Sequence, residues 1–258
     1  MHPTQAIVLF LAGLIAGTLN AIAGGGSFIS FPTLLFTGVP PVQANATNTV
    51  GLWPGLAASG VAYLRLLKVP PRLLVPVLVT SAVGGLGGAL LLLHTPQQTF
   101  QHLIPALMLF ATLLFMFGPR LRVMMGKSAV VEDLRQLSWP AITVFSLANL
   151  AVSIYGGYFG AGIGFMALAF MAALGLRDVH TMNALRTVTA TVINAAAVVA
   201  FVVAGAVFWP QCIVMIVGSL SGGWFGAKFT QRADPAKIRV FIIALGLVLS
   251  AYFFLKVI

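Results

Sequence analysis

Carboxylates are nearly missing from this chain: Glu132, Asp133, Asp178 and Asp234 are the four acidic residues among 258. All four fall between the apolar stretches, so none is available inside one to relay a proton or hold sodium. Cysteine occurs once, as Cys212, which excludes an intramolecular disulfide and any multi-cysteine metal site. The histidines His2, His94, His102 and His180 sit in links or at the ends of apolar stretches. Ser27, although flanked by glycines, therefore lacks the histidine at matching depth that a serine hydrolase needs. No enzyme activity, metal or cofactor is expected. Charge of either sign makes up 7% of the residues, too little to clothe a soluble domain of this length. The alternation of an outer-membrane barrel is absent too.

What the chain does have is apolar. Hydrophobic residues make up 60% of it and the mean hydropathy is +1.04. Stretches of about twenty apolar residues recur along its length, the pattern of an all-α polytopic membrane protein bathed in lipid. The net charge of +10 does not point to nucleic acid, because the basic residues cluster between the spans as cytoplasmic loop markers do. The N-terminus has neither a basic region nor a small-residue cleavage site, so no cleavable leader is expected.

The organising stretch is Gly24-Gly25-Gly26-Ser27, which returns in altered form as Gly160-Ala161-Gly162-Ile163-Gly164. Adding 138 to Gly24 and Gly26 gives Gly162 and Gly164. The same shift carries Asn45-Ala46 to Asn183-Ala184, Thr49-Val50 to Thr187-Val188, Gly84-Gly85 to Gly222-Gly223 and Gly88-Ala89 to Gly226-Ala227. The chain is a duplication. Residues 1–118 form the first repeat, with a glycine-broken hairpin at 5–37 and spans at 44–64, 73–93 and 102–118. A polar linker follows at 119–137. The second repeat, 138–258, has a broken hairpin at 138–175 and spans at 182–205, 209–227 and 237–257. Trp53-Pro54 is expected to kink the first long span.

Orientation follows from the basic links at 65–72, 119–137 and 228–239, which belong in the cytoplasm. The neutral links at 38–43, 94–101 and 205–208 then face outward. Each broken pair must start and end on one side, as a re-entrant hairpin or as two short crossings. Each half is then a glycine-broken helical hairpin plus three transmembrane helices. The halves have opposite orientation, an inverted-topology repeat.

Two motifs carry a resemblance. Ala23-Gly24-Gly25-Gly26-Ser27 with Phe31-Pro32, then Gly38-Val39-Pro40-Pro41 and Ala44-Asn45-Ala46-Thr47, resembles the first half of the TauE/SafE sulfite-exporter family. Gly160 to Gly164 with Asn183-Ala184-Leu185-Arg186 resembles its second-half motif. The resemblance covers nearly the whole chain. It implies a multi-pass plasma-membrane (inner-membrane) carrier, an exporter of small sulfur-containing anions such as sulfite, sulfonates or thiosulfate. A different small anion, or a membrane scaffold without transport, is the alternative. Membrane lipid is the expected surrounding; proton coupling, sodium coupling and oligomeric state are left open.

A helix restarting after each break would present free N–H groups and its positive dipole end to an anion. The candidate substrate-binding residues are Gly24, Gly25, Gly26 and Ser27 at the first break, and Gly160, Gly162 and Gly164 at the second. Asn45, Thr47, Asn48, Asn183 and Arg186 lie on the spans that follow, and Asn20 and Tyr155 flank the breaks, with Tyr158 nearby. With the halves inverted, the two short helices are expected to converge on one anion near the midplane. Arg186 stands where the shift puts Asn48, deep in a span, where charge marks a site by default; its plainer reading is a side chain snorkelling to the cytoplasmic face. The plainer reading of Asn45 and Asn183 is helix capping. Gly84-Gly85, Gly87-Gly88 and Gly222-Gly223, within full-length spans, read as packing devices.

Overall fold

The computed structural model describes residues 2–22, 25–64, 67, 69–125, 134, 137–173, 175–176, 178–229 and 235–257. Gly24, most of the expected linker and the basic residues Arg65, Lys68, Lys127 and Arg232 lie outside the described residues. The described residues form helices α1 (Pro3–Ile22), α2 (Ser27–Phe36), α3 (Pro41–Leu64), α4 (Pro71–His94), α5 (Gln97–Met125), α6 (Trp139–Tyr158), α7 (Ile163–Ala173), α8 (Val179–Val203), α9 (Trp209–Phe229) and α10 (Pro235–Val257). Among the described residues five stretches are long and apolar enough to cross a membrane, within α1, α4, α5, α6 and α8. The helix faces turned outward are apolar, as along Val75, Val79, Val83, Leu86 and Leu90 of α4. This surface suits lipid.

Helix starts follow local chemistry. Pro41, Pro71 and Pro235 open their helices, where a missing N–H costs nothing. The Ser138 hydroxyl accepts from Ala141 N–H, and the Asp178 carboxylate accepts from the N–H groups of His180 and Thr181. With the Thr181 hydroxyl as its leading donor, Asp178 is held below the usual carboxylate range. One boundary differs from expectation: helix α5 runs to Met125 instead of stopping at 118. As expected of a single long span, α3 carries Pro54 within it.

The two short helices are set by glycine. Gly25 (φ +95°) breaks the chain before α2, and Gly160 (φ +78°) with Gly162 (φ +77°) breaks it before α7. Left-handed backbone of this kind carries a steric penalty for any residue with a Cβ. At 10 and 11 residues, α2 and α7 are about 15 Å long, roughly half of a hydrocarbon core. Each folds back on the long helix before it. In the first hairpin Gly26 lies against the Ala16 backbone, and Gln5 Nε2 reaches the Thr37 carbonyl at the open end. In the second, the Phe145 and Phe170 rings are 5.4 Å apart near the open end.

Hydrogen bonds sort the connections into two ends. Gln97 accepts from Val42 N–H and donates to Gln43, and the Phe208 N–H donates to Thr47. The neutral links thus gather at one end with the open end of the α1–α2 hairpin. At the other end, Leu67, Val69, Leu73, Leu134, Leu137, Ile142, Leu176 and Met182 form one apolar cluster. The open end of the α6–α7 hairpin lies there, and Arg72 stacks over Trp139 at 4.2 Å.

The long helices pair across the halves. α1 packs on α9 and α4 on α6; α3 packs on α8, and α5 on α10. The 138-residue shift turns the first of these pairs into the second and the last two into themselves. Its centre is visible where Trp53 Nε1 donates to the carbonyl of Thr191, its own equivalent. The glycines permit backbone contact at these crossings. A Cβ at Gly222 would stand 1.9 Å from Leu14 O, one at Gly88 2.1 Å from Ile154 O, and one at Gly85 2.4 Å from Ile193 O. Gly87 and Gly223 meet nothing, so the packing reading holds for Gly84, Gly85, Gly88 and Gly222 only. We expect Gly88→Val to lower the thermal midpoint of the solubilised protein, by about 1–3 kcal/mol of overpacking, and Gly87→Ala to leave it unchanged. Scanning fluorimetry on the two variants checks this.

Candidate functional site

The first break is closed upon itself. Asn20, at the far end of α1, accepts from Gly26 N–H through Oδ1 at 2.8 Å. One turn further, Asn48 of α3 sits among the hydroxyls of α2: its Nδ2 donates to Ser27 Oγ (3.2 Å) and its Oδ1 accepts from Ser30 Oγ (2.5 Å). Asn48 and Ser30 are fully buried. Gly25 packs on the Phe115 ring, where a Cβ would stand 2.6 Å from Cζ. Asn45 and Thr47 serve other ends of the bundle. Asn45 Nδ2 donates to the carbonyl of Tyr158, closing the end of α6, and Thr47 accepts from Phe208 N–H at the neutral end. Both Asn45 and Asn183 lie inside their helices, so neither caps the helix it belongs to; Asp178 is the cap of α8.

The second break is built differently. The Tyr155 hydroxyl donates to Ala161 O at 2.7 Å and steadies the loop. The N–H groups of Phe165 and Met166 return to Gly162 O, and that of Ile163 to Gly160 O. The Gly164 N–H has no acceptor among the described residues. Gly162 lies against Ala111 of α5, and a Cβ at Gly164 would stand 3.0 Å from Arg186 Nη1. Arg186, about two turns into α8, thus points toward the first turn of α7, away from the basic end. This is not the snorkelling geometry. No carboxylate pairs with it among the described residues. Asn183, one turn before it, is half-buried.

A narrow cleft lies beside Arg186 between α6, α7 and α8, with a cavity volume of about 10 Å³, room for about one water as the helices stand here. Asn149, Gly164, Arg186 and Thr189 are its polar lining, and Val152, Ile163, Ala167 and Ile193 its apolar walls. Asn149 is 5% exposed. Its Nδ2 donates to the Val77 carbonyl, to Thr80 and to Ser81. A carbonyl only accepts, so the amide orientation is determined and Oδ1 is the remaining, unpaired acceptor. The Thr189 hydroxyl is turned back onto the Arg186 carbonyl.

The two short helices do not converge on open space. The Phe115 ring of α5 stands between their first turns, 5.5 Å from the Phe28 ring of α2 and 4.4 Å from the Phe165 ring of α7. The expectation of one anion shared between both glycine breaks is corrected here: aromatic packing fills the space between them. Gly160, Gly162, Gly164, Tyr155 and Arg186 group at the second break, while Gly25, Gly26, Ser27, Asn20 and Asn48 form a separate, self-bonded cluster. Asn149 and Phe115 were not expected. Asn149 is visible in the sequence as a polar residue within an apolar span, but the shift relates it to Leu11, so no repeat partner draws attention to it. Phe115 is one aromatic residue in an apolar stretch and carries no signal.

These helices and breaks define a multi-pass helical membrane protein with a cationic pocket beside a half-length helix. The chain belongs to the family described as Sulfite exporter TauE/SafE, which matches residues 9–253. It is similar to a probable membrane transporter protein of Haemophilus influenzae (30% identical, spanning 95% of this chain and 92% of that protein). It is also similar to the probable membrane transporter proteins YfcA of Escherichia coli K12 (28%, 95% and 87%) and YdhB of Bacillus subtilis (26%, 87% and 89%). No solved structure matches.

Replacing Asn48 by leucine removes the partner of Ser27 and one partner of Ser30. We expect a loss of about 1–3 kcal/mol for the unmet polar groups, read as a lower thermal midpoint, with anion binding retained at the second break.

Proposed function

We propose that this chain is a secondary transporter, working as an exporter in the plasma membrane, for small sulfur-containing anions such as sulfite or organosulfonates. The observation that carries the reading is Arg186: a guanidinium without a carboxylate partner among the described residues, set against the first turn of α7. A charge held among apolar helices is costly unless something pairs with it. An anion would supply the partner, and α7 would add its dipole and the Gly164 N–H. The family description and the names of the relatives support transport and a sulfur oxyanion.

The architecture is read as an inverted repeat. Support comes from the two hairpins, whose open ends lie at opposite ends of the bundle, and from the crosswise pairing of α1 with α9 and α4 with α6. In this reading alternating access is a rocking of one half against the other. The aromatic contact at Phe115 would then part and reform between states.

Two measurements test the proposal. A sulfite-type anion should raise the thermal midpoint of the wild type by mass action. Arg186→Gln should abolish that shift and transport in proteoliposomes, while its ligand-free midpoint stays equal or rises because an unpaired interior charge is gone. Retained transport in this variant would sink the site. For the topology, single cysteines at the exposed positions Pro40 and His180 in a Cys212→Ala background should label from opposite sides of the membrane.

A further inference from the structure

Resting on that reading, we infer that the pocket takes its anion in a singly charged form and, for sulfite, takes the protonated ion, so that the proton travels on the substrate. The charge count comes first. Among the described residues Arg186 is the one cation lining the pocket, and the other lining groups are neutral. One guanidinium and the fractional charge of a helix end balance about one negative charge. A second would stay uncompensated among Val152, Ile163, Ala167 and Ile193, which a low-dielectric setting penalises.

The second observation is the unpaired acceptor. Asn149, a lining residue of the pocket, has its Nδ2 committed to α4, which leaves Oδ1 as its side-chain acceptor without a partner among the described residues. An acceptor repels a bare oxyanion oxygen and receives a hydrogen bond from a protonated one. Arg186 and Gly164 N–H provide the donors for the unprotonated oxygens. The pocket thus offers donors to one part of the ligand and an acceptor to another, as a hydrogen-bearing monoanion requires.

The titratable and charged groups around the site do not supply the proton. Arg186 and, at its exposed start, His180 lie on α8, Tyr155 on α6, and Tyr63 at the end of α3. α7 carries none. Arg72 and His94 lie at the ends of α4, and Arg120 is exposed on α5. Among the described residues no carboxylate or histidine lines the pocket. The exchange is the ionisation of the substrate itself: the protonated monoanion releases one proton to water to give the dianion, with no change of oxidation state.

Binding to the purified full chain in nanodiscs tests this by calorimetry with three probes: sulfite, methanesulfonate and sulfate. Methanesulfonate is a monoanion at every working pH, and sulfate is a dianion. Above the second ionisation of sulfite, its apparent Kd should rise about tenfold per pH unit. Over the same range the methanesulfonate Kd should stay constant, and sulfate should bind at least tenfold more weakly than methanesulfonate. A sulfite Kd independent of pH, or sulfate binding as tight as methanesulfonate, overturns the inference while leaving the site in place. Methanesulfonate binding that survives Arg186→Gln removes the site, and the inference with it.

Discussion

Backbone that leaves helical geometry inside a bilayer must have its N–H and C=O groups met by the protein, because lipid offers no partners. Two glycine-broken loops in this chain raise that demand, and much of the interior chemistry answers it. Asn20 meets Gly26, Tyr155 meets Ala161, and Asn45 meets Tyr158 from the opposite half. The side chains that look like ligand donors are thereby mostly occupied with the backbone. Among the described residues the Gly164 N–H is left without an acceptor at the second break, and it lies beside the Arg186 guanidinium.

In the proposed two-repeat reading, divergence between equivalent positions accounts for one break being closed and the other open. Both halves use the same helix plan, and glycine-to-backbone contacts join them crosswise along α1–α9 and α4–α6. Divergence at single positions then separates their chemistry. Asn48 and its equivalent Arg186 hold corresponding places beside a short helix. Asn48 finds the hydroxyls of Ser27 and Ser30, whereas the positions equivalent to those serines are Phe165 and Leu168. A neutral amide with two hydroxyl partners is a finished contact. A guanidinium without a carboxylate partner among the described residues is an unfinished one, and in the proposed reading a ligand of opposite charge completes it. Phe115 sits between the two chemistries and seals one from the other.

Helix positions were readable because apolar run length and glycine breaks act locally. The long helices lie close to the apolar runs, and the two short helices follow the glycines. Errors fell where polarity misled. The stretch 119–125 reads as linker by its charge yet continues α5, on which Arg120 is exposed. The Asn45 and Asn183 caps failed because Pro41 and Asp178 already begin those helices. Among the site residues, Arg186 and the second glycine cluster stood out, for charge in a span is rare and costly. Thr47 and Asn45 stood out equally and belong to the neutral end of the bundle.

Sequence by itself determined the class of protein and the two half-length helices, because composition and glycine spacing need no knowledge of distant neighbours. Tertiary structure alone decided which polar groups were left without partners. That depends on Ser27 facing Asn48, on Asn149 turning its amide nitrogen to α4, and on a phenyl ring from α5 lying between two helix ends. These are contacts between residues far apart in the chain, and spacing along it does not encode them.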